Sequence, residues 1–212
     1  RNGNCCLLPL PPVGPRPSAG DEFTAGEAGT EAERCIRCTC SICRDNCEMM
    51  QCYKTVPPKL TDDAISSIGS KESITSRVGM KMVNACSQCG LCKKVCPEEV
   101  DMETCLLEAR RVMHREEVMP PVYHDFWLRD MNFSCHEAYF SYHPQPEAAA
   151  EYLFFPGCQL GASDPDYVLK TYEFLSQIHP RTSLILSCCG VPADWAGNEA
   201  LRDSALAQIK KD

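Results

Sequence analysis

Four cysteines in the stretch Cys86-Ser87-Gln88-Cys89-Gly90-Leu91-Cys92-Lys93-Lys94-Val95-Cys96-Pro97 follow the spacing C-x2-C-x2-C-x3-C-P. Three thiolates one tight loop apart can reach three irons of a single cubane. The fourth, three residues on and followed by Pro97, points away and can ligate a second one. This is the spacing of the bacterial-type run that binds [4Fe–4S] clusters. Gly90 and Pro97 stop a long helix from carrying the ligands apart.

A second cysteine set lies upstream, in residues 34–52: Cys35, Cys38, Cys40, Cys43, Cys47 and Cys52. Two registers are open. Cys35, Cys38, Cys43 and Cys47 form C-x2-C-x4-C-x3-C and leave Cys40 spare. Cys40, Cys43 and Cys47 instead reproduce the last three positions of the first run, with Arg37 where its first cysteine would stand. The first register is preferred, with Cys40 the alternative ligand. In two-cluster ferredoxins the fourth cysteine of each run serves the other cluster. On that rule Cys35, Cys38 and Cys43 share one cluster with Cys96, while Cys86, Cys89 and Cys92 share the other with Cys47. Such a swap makes the metal structural as well as electronic, because it ties distant segments together. Zinc is the rival metal, but a tetrahedral ion takes four ligands and leaves several cysteines unused.

The composition suits this chemistry. The 212 residues contain 17 cysteines, an odd number that cannot pair completely. The early apolar run Leu7–Val13 is short and broken by Pro9, Pro11 and Pro12, so a secretory leader is not expected. Reduced thiolates in a cytoplasmic protein fit better than disulfides. A formal net charge of -8 disfavours a general nucleic-acid surface. No stretch is long and apolar enough to span a membrane.

The elements that must position these cysteines read as an α+β, multidomain chain. Residues 1–33, rich in Pro, Gly and acids, read as a linker or the tail of an upstream domain, with Cys5 and Cys6 as spare thiols. Residues 34–118 read as a helical two-cluster domain. Within it Thr61 or Asp62 caps a helical segment with an apolar stripe of Ile65, Ile68, Ile74, Val78, Met82 and Val83, broken near Gly69-Ser70. Asp101 caps a further helix to about Glu117, whose face is Met102, Leu106, Ala109, Val112 and Met113. Cys105 reads as a buried apolar thiol and His114 as surface. Lys93 and Lys94 either raise a local potential, dock an acidic partner or are simply solvated.

Residues 119–150 read as an irregular linker, anchored by buried Phe126-Trp127-Leu128. Its His124, Cys135, His136 and His143 match no metal template. Residues 151–212 read as an incomplete α/β domain. A strand at Tyr152–Phe155 ends in Pro156-Gly157-Cys158. A helix follows, capped by Ser163 or Asp164 with Pro165 at its first position. A second strand at Ser183–Leu186 ends in Cys188-Cys189-Gly190, before a last helix from Glu199 to Lys210. All-apolar strands joined by a helix predict a parallel sheet covered on its faces, with Cys158, Cys188 and Cys189 at its carboxyl edge.

Residues 34–105 resemble the helical dicluster ferredoxin-like domain of heterodisulfide reductase subunits and related quinone-linked oxidoreductases. Glu31-Ala32-Glu33-Arg34-Cys35, continued through Cys38, Cys43 and Cys47, is also similar to the iron–sulfur segment of the glutamate synthase small subunit and dihydropyrimidine dehydrogenase. Cys40 and the missing proline after Cys47 depart from that pattern. Phe155-Pro156-Gly157-Cys158 and Cys188-Cys189-Gly190-Val191-Pro192 resemble the cysteine-rich CCG domain of heterodisulfide reductases and glycolate oxidase iron–sulfur subunits. The 29 residues between Cys158 and Cys188 are slightly few for that family. Its closing C-x-x-C would fall beyond Asp212, and with Arg1 in place of a starting Met this predicts a fragment. The resemblances imply an iron–sulfur electron-transfer component of an oxidoreductase. A flavin or ferredoxin donor feeds two [4Fe–4S] clusters and then a third iron–sulfur or metal centre at Cys158, Cys188 and Cys189. FAD belongs to an upstream domain or a partner flavoprotein, and a multi-subunit complex is expected. A zinc-binding interaction module and a plain ferredoxin-like carrier are the competing readings.

Overall fold

The computed structural model describes residues 23–33, 38, 40–68, 73–139, 141–143 and 150–210. The chain divides into two compact units, Arg1–Ala109 and Arg110–Asp212.

The described part of the first unit is helical. It contains α1 (Ala25–Glu33), α2 (Ile42–Asp45), α3 (Glu48–Cys52), α4 (Pro57–Ile68), α5 (Ile74–Ala85), α6 (Leu91–Val95) and the first half of α7 (Met102–Arg115). Its buried apolar side chains include Met50, Leu60, Ala64, Met82, Val83, Met102 and Leu106. The helix expected to be capped at Thr61 or Asp62 instead begins at Pro57. A proline lacks only an amide that the first turn leaves unpaired anyway. The Thr61 hydroxyl donates to the Pro57 carbonyl at 3.0 Å inside that turn.

The buried faces of α4 and α5 differ in part from the expected stripe. Leu60, Ala64 and Ser67 face inward on α4, whereas Ile65, Ile74 and Val78 of the expected stripe are exposed. Helices α4 and α5 pack tightly because Gly79 lacks a side chain. A Cβ there would lie 2.3 Å from the Asp63 carbonyl oxygen. A capping box opens α5: the Ser76 amide donates to Ser73 Oγ and the Ser73 amide to Ser76 Oγ, both at 3.0 Å. Asp101 caps α7 as expected, its carboxylate accepting from the Thr104 amide at 3.0 Å.

In the second unit a short 3-10 turn leads into α8 (Asp125–Ser134), then β1 (Ser141–His143) and β2 (Tyr152–Phe154). After these come α9 (Gly157–Ser163), α10 (Pro165–Ile178), β3 (Thr182–Leu186), α11 (Val191–Trp195) and α12 (Glu199–Ile209). Strand order is β1-β3-β2. The β2–β3 pair is parallel, with Leu153 opposite Ser183, and β1 adds to β3 antiparallel. The expected parallel pair is present, but β2 is an edge strand with Tyr152 and Leu153 exposed, so the sheet is not covered on both faces there. Of Ser163 and Asp164, it is Asp164 that caps α10, its Oδ1 accepting from the Asp166 amide at 3.0 Å.

The stretch read as an irregular linker contains α8. Phe126 and Trp127, read as a buried anchor, are 70% and 42% exposed, whereas Met131 is buried. Of that anchor only Leu128 reaches the core, with Met131 and, just past the end of the helix, Cys135. Two aromatics in sequence therefore misled, because only the residues at helical spacing reach the interior.

Candidate metal centres

The downstream cysteine run is laid out by short elements. Helix α5 ends at Cys86 in extended backbone. The chain then turns through two left-handed positions, Gln88 (φ 56°) and Gly90 (φ 68°), before α6 carries Cys92. Gly90 answers a backbone requirement, since its φ of 68° is one that other residues rarely adopt; the neighbour an added Cβ would meet is the mobile end of the Glu103 side chain. Cys96 ends α6 in extended backbone, φ −78° and ψ 124°. The Lys93 ammonium, left open between three roles in the sequence, pairs with Asp101 at 2.9 Å. The bond from Thr104 and this ammonium hold the Asp101 carboxyl below the usual carboxylate range.

The upstream set folds around α2 and α3. Cys38 and Cys40 precede α2, Cys43 lies within it, and Cys47 is the N-terminal flanking residue of α3. Cys35, Cys5 and Cys6 lie outside the described residues.

Two cavities sort the thiols. One is lined by Cys47 together with Cys86, Cys89 and Cys92, and also by Met50, Met102 and Leu106; its volume is about 370 Å³. The other is lined by Cys38, Cys40, Cys43 and Cys96, closed over by Ile42, Pro57, Val100 and Met102, and is only about 10 Å³. Cys96 thus leaves its own run and joins the upstream cysteines, while Cys47 does the reverse. Burial is the main reason that the Cys43 thiol is pushed up to about 11; neighbouring Cys40, Cys96 and Cys38 add to it.

The thiols ring these cavities. Among the described residues no three His, Cys, Asp or Glu side chains converge closely enough to grip a single ion. A cubane presents separate irons at its corners, so its ligands surround it rather than meet at a point. The donor chemistry fits a [4Fe–4S] group in both places: four soft thiols line each cavity in a largely apolar wall. In the smaller cavity the thiols must part to admit one.

Cys105 lines neither cavity; it is half-buried, and burial raises its thiol. Cys52 is exposed. His124 is buried, and desolvation, with Arg110 nearby, pushes its imidazole down to about 4. His136 Nδ1 accepts from the Ala138 amide at 3.2 Å.

The second unit gathers a third group of thiols. Cys158, in the first turn of α9, places its Sγ 3.6 Å from Cys188 Sγ, just beyond β3. Cys188 is fully buried and its neighbour Cys189 exposed. The parallel pairing of β2 and β3 delivers both loops to one sheet edge, as the strand pattern predicts. Cys135, read from sequence as unrelated, joins them. Its Sγ lies 3.9 Å from the Cys188 carbonyl oxygen, and it packs against the core cluster of Met131, Cys188, Ala193 and Ala205, as Leu128 and Cys158 do. The signal was its place in the helical series Leu128, Met131, Cys135, which puts it on the apolar face of α8. A hydrogen bond between the two thiols draws Cys135 down and lifts Cys188. The Tyr139 hydroxyl donates to the Cys158 carbonyl at 3.3 Å and steadies that loop.

Residues 34–101 match the protein-family model described as a 4Fe-4S dicluster domain. The match supports iron–sulfur binding and an electron-transfer role for this segment, with a redox partner. No curated protein and no solved structure matches the chain. Among the described residues no helix is long and apolar enough to cross a membrane.

Proposed function

We propose that the chain is the iron–sulfur electron-transfer part of a cytoplasmic oxidoreductase related to heterodisulfide reductases. It stands between a flavin or ferredoxin donor and a thiol-rich centre. Cys47, Cys86, Cys89 and Cys92 hold one [4Fe–4S] cluster. Cys38, Cys43 and Cys96 hold the other, with Cys35 or Cys40 as the fourth ligand. Bound there, each cluster supplies a one-electron carrier. The single observation that carries this reading is the exchange of Cys47 and Cys96 between the two cavities. That exchange is the ligand rule of two-cluster ferredoxins.

The residues around the cavities supply the rest. Met50, Met102 and Leu106 keep water from one side of the larger cavity. Ile42, Pro57 and Val100 do the same for the smaller. A dry, low-dielectric wall shapes the potential of any group held within. Cys158, Cys188 and Cys189 form the third centre, as the CCG resemblance implies, and the donor flavin belongs to a partner or to a domain upstream.

Iron and sulfide analysis of anaerobically purified protein, with low-temperature EPR after reduction, tests the reading. Two cubanes require about eight irons per chain, and fewer than about seven overturns the assignment. Zinc without inorganic sulfide replaces it with the interaction-module reading.

A further inference from the structure

We propose that Cys158 and Cys188 form an oxidant-responsive dithiol that closes to a disulfide on meeting a hydroperoxide, with Cys158 the residue attacked first. The pair shares its cysteines with the proposed third centre, but its chemistry does not depend on the two clusters.

The geometry assigns the roles. The two sulfurs are 3.6 Å apart. A bonded pair stands at about 2.05 Å, so closure asks for a movement of about 1.5 Å. Cys158, in the first turn of α9, and Cys188, in the loop past β3, both lie beyond the paired residues, where small shifts leave the β2–β3 ladder intact. Cys158 is half-buried and reachable, whereas Cys188 is 0% exposed beneath Met131, Ala193 and Ala205. A reachable thiol beside a sequestered second one is the arrangement of redox-sensing cysteines with a resolving partner. Cys135, whose Sγ lies 3.9 Å from the Cys188 carbonyl oxygen, is the competing partner.

The step balances. The Cys158 sulfur attacks one peroxide oxygen, the O–O bond breaks, and an alcohol or water leaves. Cys158 is then a sulfenic acid. The Cys188 sulfur displaces its hydroxyl, which departs as water with the Cys188 proton. Two thiols and one hydroperoxide become one disulfide, one alcohol and one water. Closure withdraws two of the thiols on which the third centre depends.

The test treats the full, anaerobically purified chain with hydrogen peroxide, alkylates the remaining thiols and maps linkages by mass spectrometry. The expected result is loss of two titratable thiols and a Cys158–Cys188 cross-link. In Cys188→Ser, a dimedone adduct is expected at Cys158. In Cys158→Ser, Cys188 stays reduced; because Cys158 is half-exposed, this variant serves if Cys188→Ser does not fold. A cross-link from Cys188 to Cys135 or Cys189 overturns the proposal. So does a pair that remains reduced while Cys105 oxidises. Iron measured before peroxide is added reads the cluster assignment separately: low iron followed by a Cys158–Cys188 cross-link sinks the cluster assignment and leaves this proposal standing.

Discussion

Cys96 sits with Cys43, not with Cys86, Cys89 and Cys92, although it closes their run in the sequence. The short helix α6 separates Cys92 from Cys96 and sends the two toward different cavities. Each cavity therefore depends on both cysteine segments.

Substitution of the exchanged cysteines follows from this. Cys96→Ser is expected to remove the cluster beside Cys38 and Cys43, and Cys47→Ser the one beside Cys86, Cys89 and Cys92. Each lowers iron by about four per chain. EPR of the reduced variants checks it: the magnetic coupling between two neighbouring clusters disappears in both. If Cys96→Ser instead depletes the site at Cys86, the exchange is wrong.

Asp101 both caps α7 and pairs with Lys93. Asp101→Ala should cost about 1 kcal/mol, the usual value of a lost cap, while Asp101→Asn keeps the acceptor and costs less. Its carboxyl is depressed, so the stability it provides is present above the ordinary carboxylate pKa and is lost as pH falls below it. Urea unfolding followed by helical circular dichroism at neutral and acid pH measures both effects.

Backbone geometry around the first cavity is equally exacting. Gly90→Ala must hold a left-handed φ, at a cost of about 1–3 kcal/mol. Gly79→Ala adds a methyl against the Asp63 carbonyl. The resulting overpacking of about 1–3 kcal/mol exceeds the roughly 1 kcal/mol gained in helix propensity. Thermal melts of the two variants check the sign, and a Gly79→Ala chain more stable than the parent rules out the close packing of α4 on α5.

His124 gives the second unit a pH dependence of its own. Burial depresses its imidazole to about 4, whereas in the unfolded chain it titrates near 6.5. The unfolded state thus takes up a proton that the folded state refuses. Stability is full above about pH 6.5 and declines by about 3 kcal/mol as pH falls to about 4. Both tryptophans, Trp127 and Trp195, lie in this unit, so fluorescence-detected unfolding isolates it. His124→Gln should flatten the decline, and an unchanged slope in that variant assigns it to other groups.

The sequence was most legible where chemistry restricts spacing. The run at Cys86–Cys96 and the exchange of Cys47 with Cys96 came from ligand rules; Cys47 lines one cavity with Cys86, Cys89 and Cys92, and Cys96 the other with Cys38 and Cys43, where the alternative ligand Cys40 also lies and Cys35 falls outside the described residues. The Asp101 cap, the parallel pair and the meeting of Cys158 with Cys188 followed from local pattern. Burial was harder to read. Ile65 on α4 and Ile74 and Val78 on α5 are apolar yet exposed, because each helix turns another face inward: Leu60, Ala64 and Ser67 on α4, and Ser76, Gly79, Met82 and Val83 on α5. Cys135 was not grouped with Cys158 and Cys188, because these arrive from the ends of β2 and β3, far along the chain, and no spacing rule connects them. Helix α8 was hidden by the prolines before it and the mixed residues after it.

The exchange between the cavities also bears on how such a chain can be divided. Neither cysteine segment carries the four thiols of one cavity, so neither is a self-sufficient module that could be duplicated, deleted or transplanted by itself. Change in one segment is felt at both cavities, and the two must be inherited and matured as a pair.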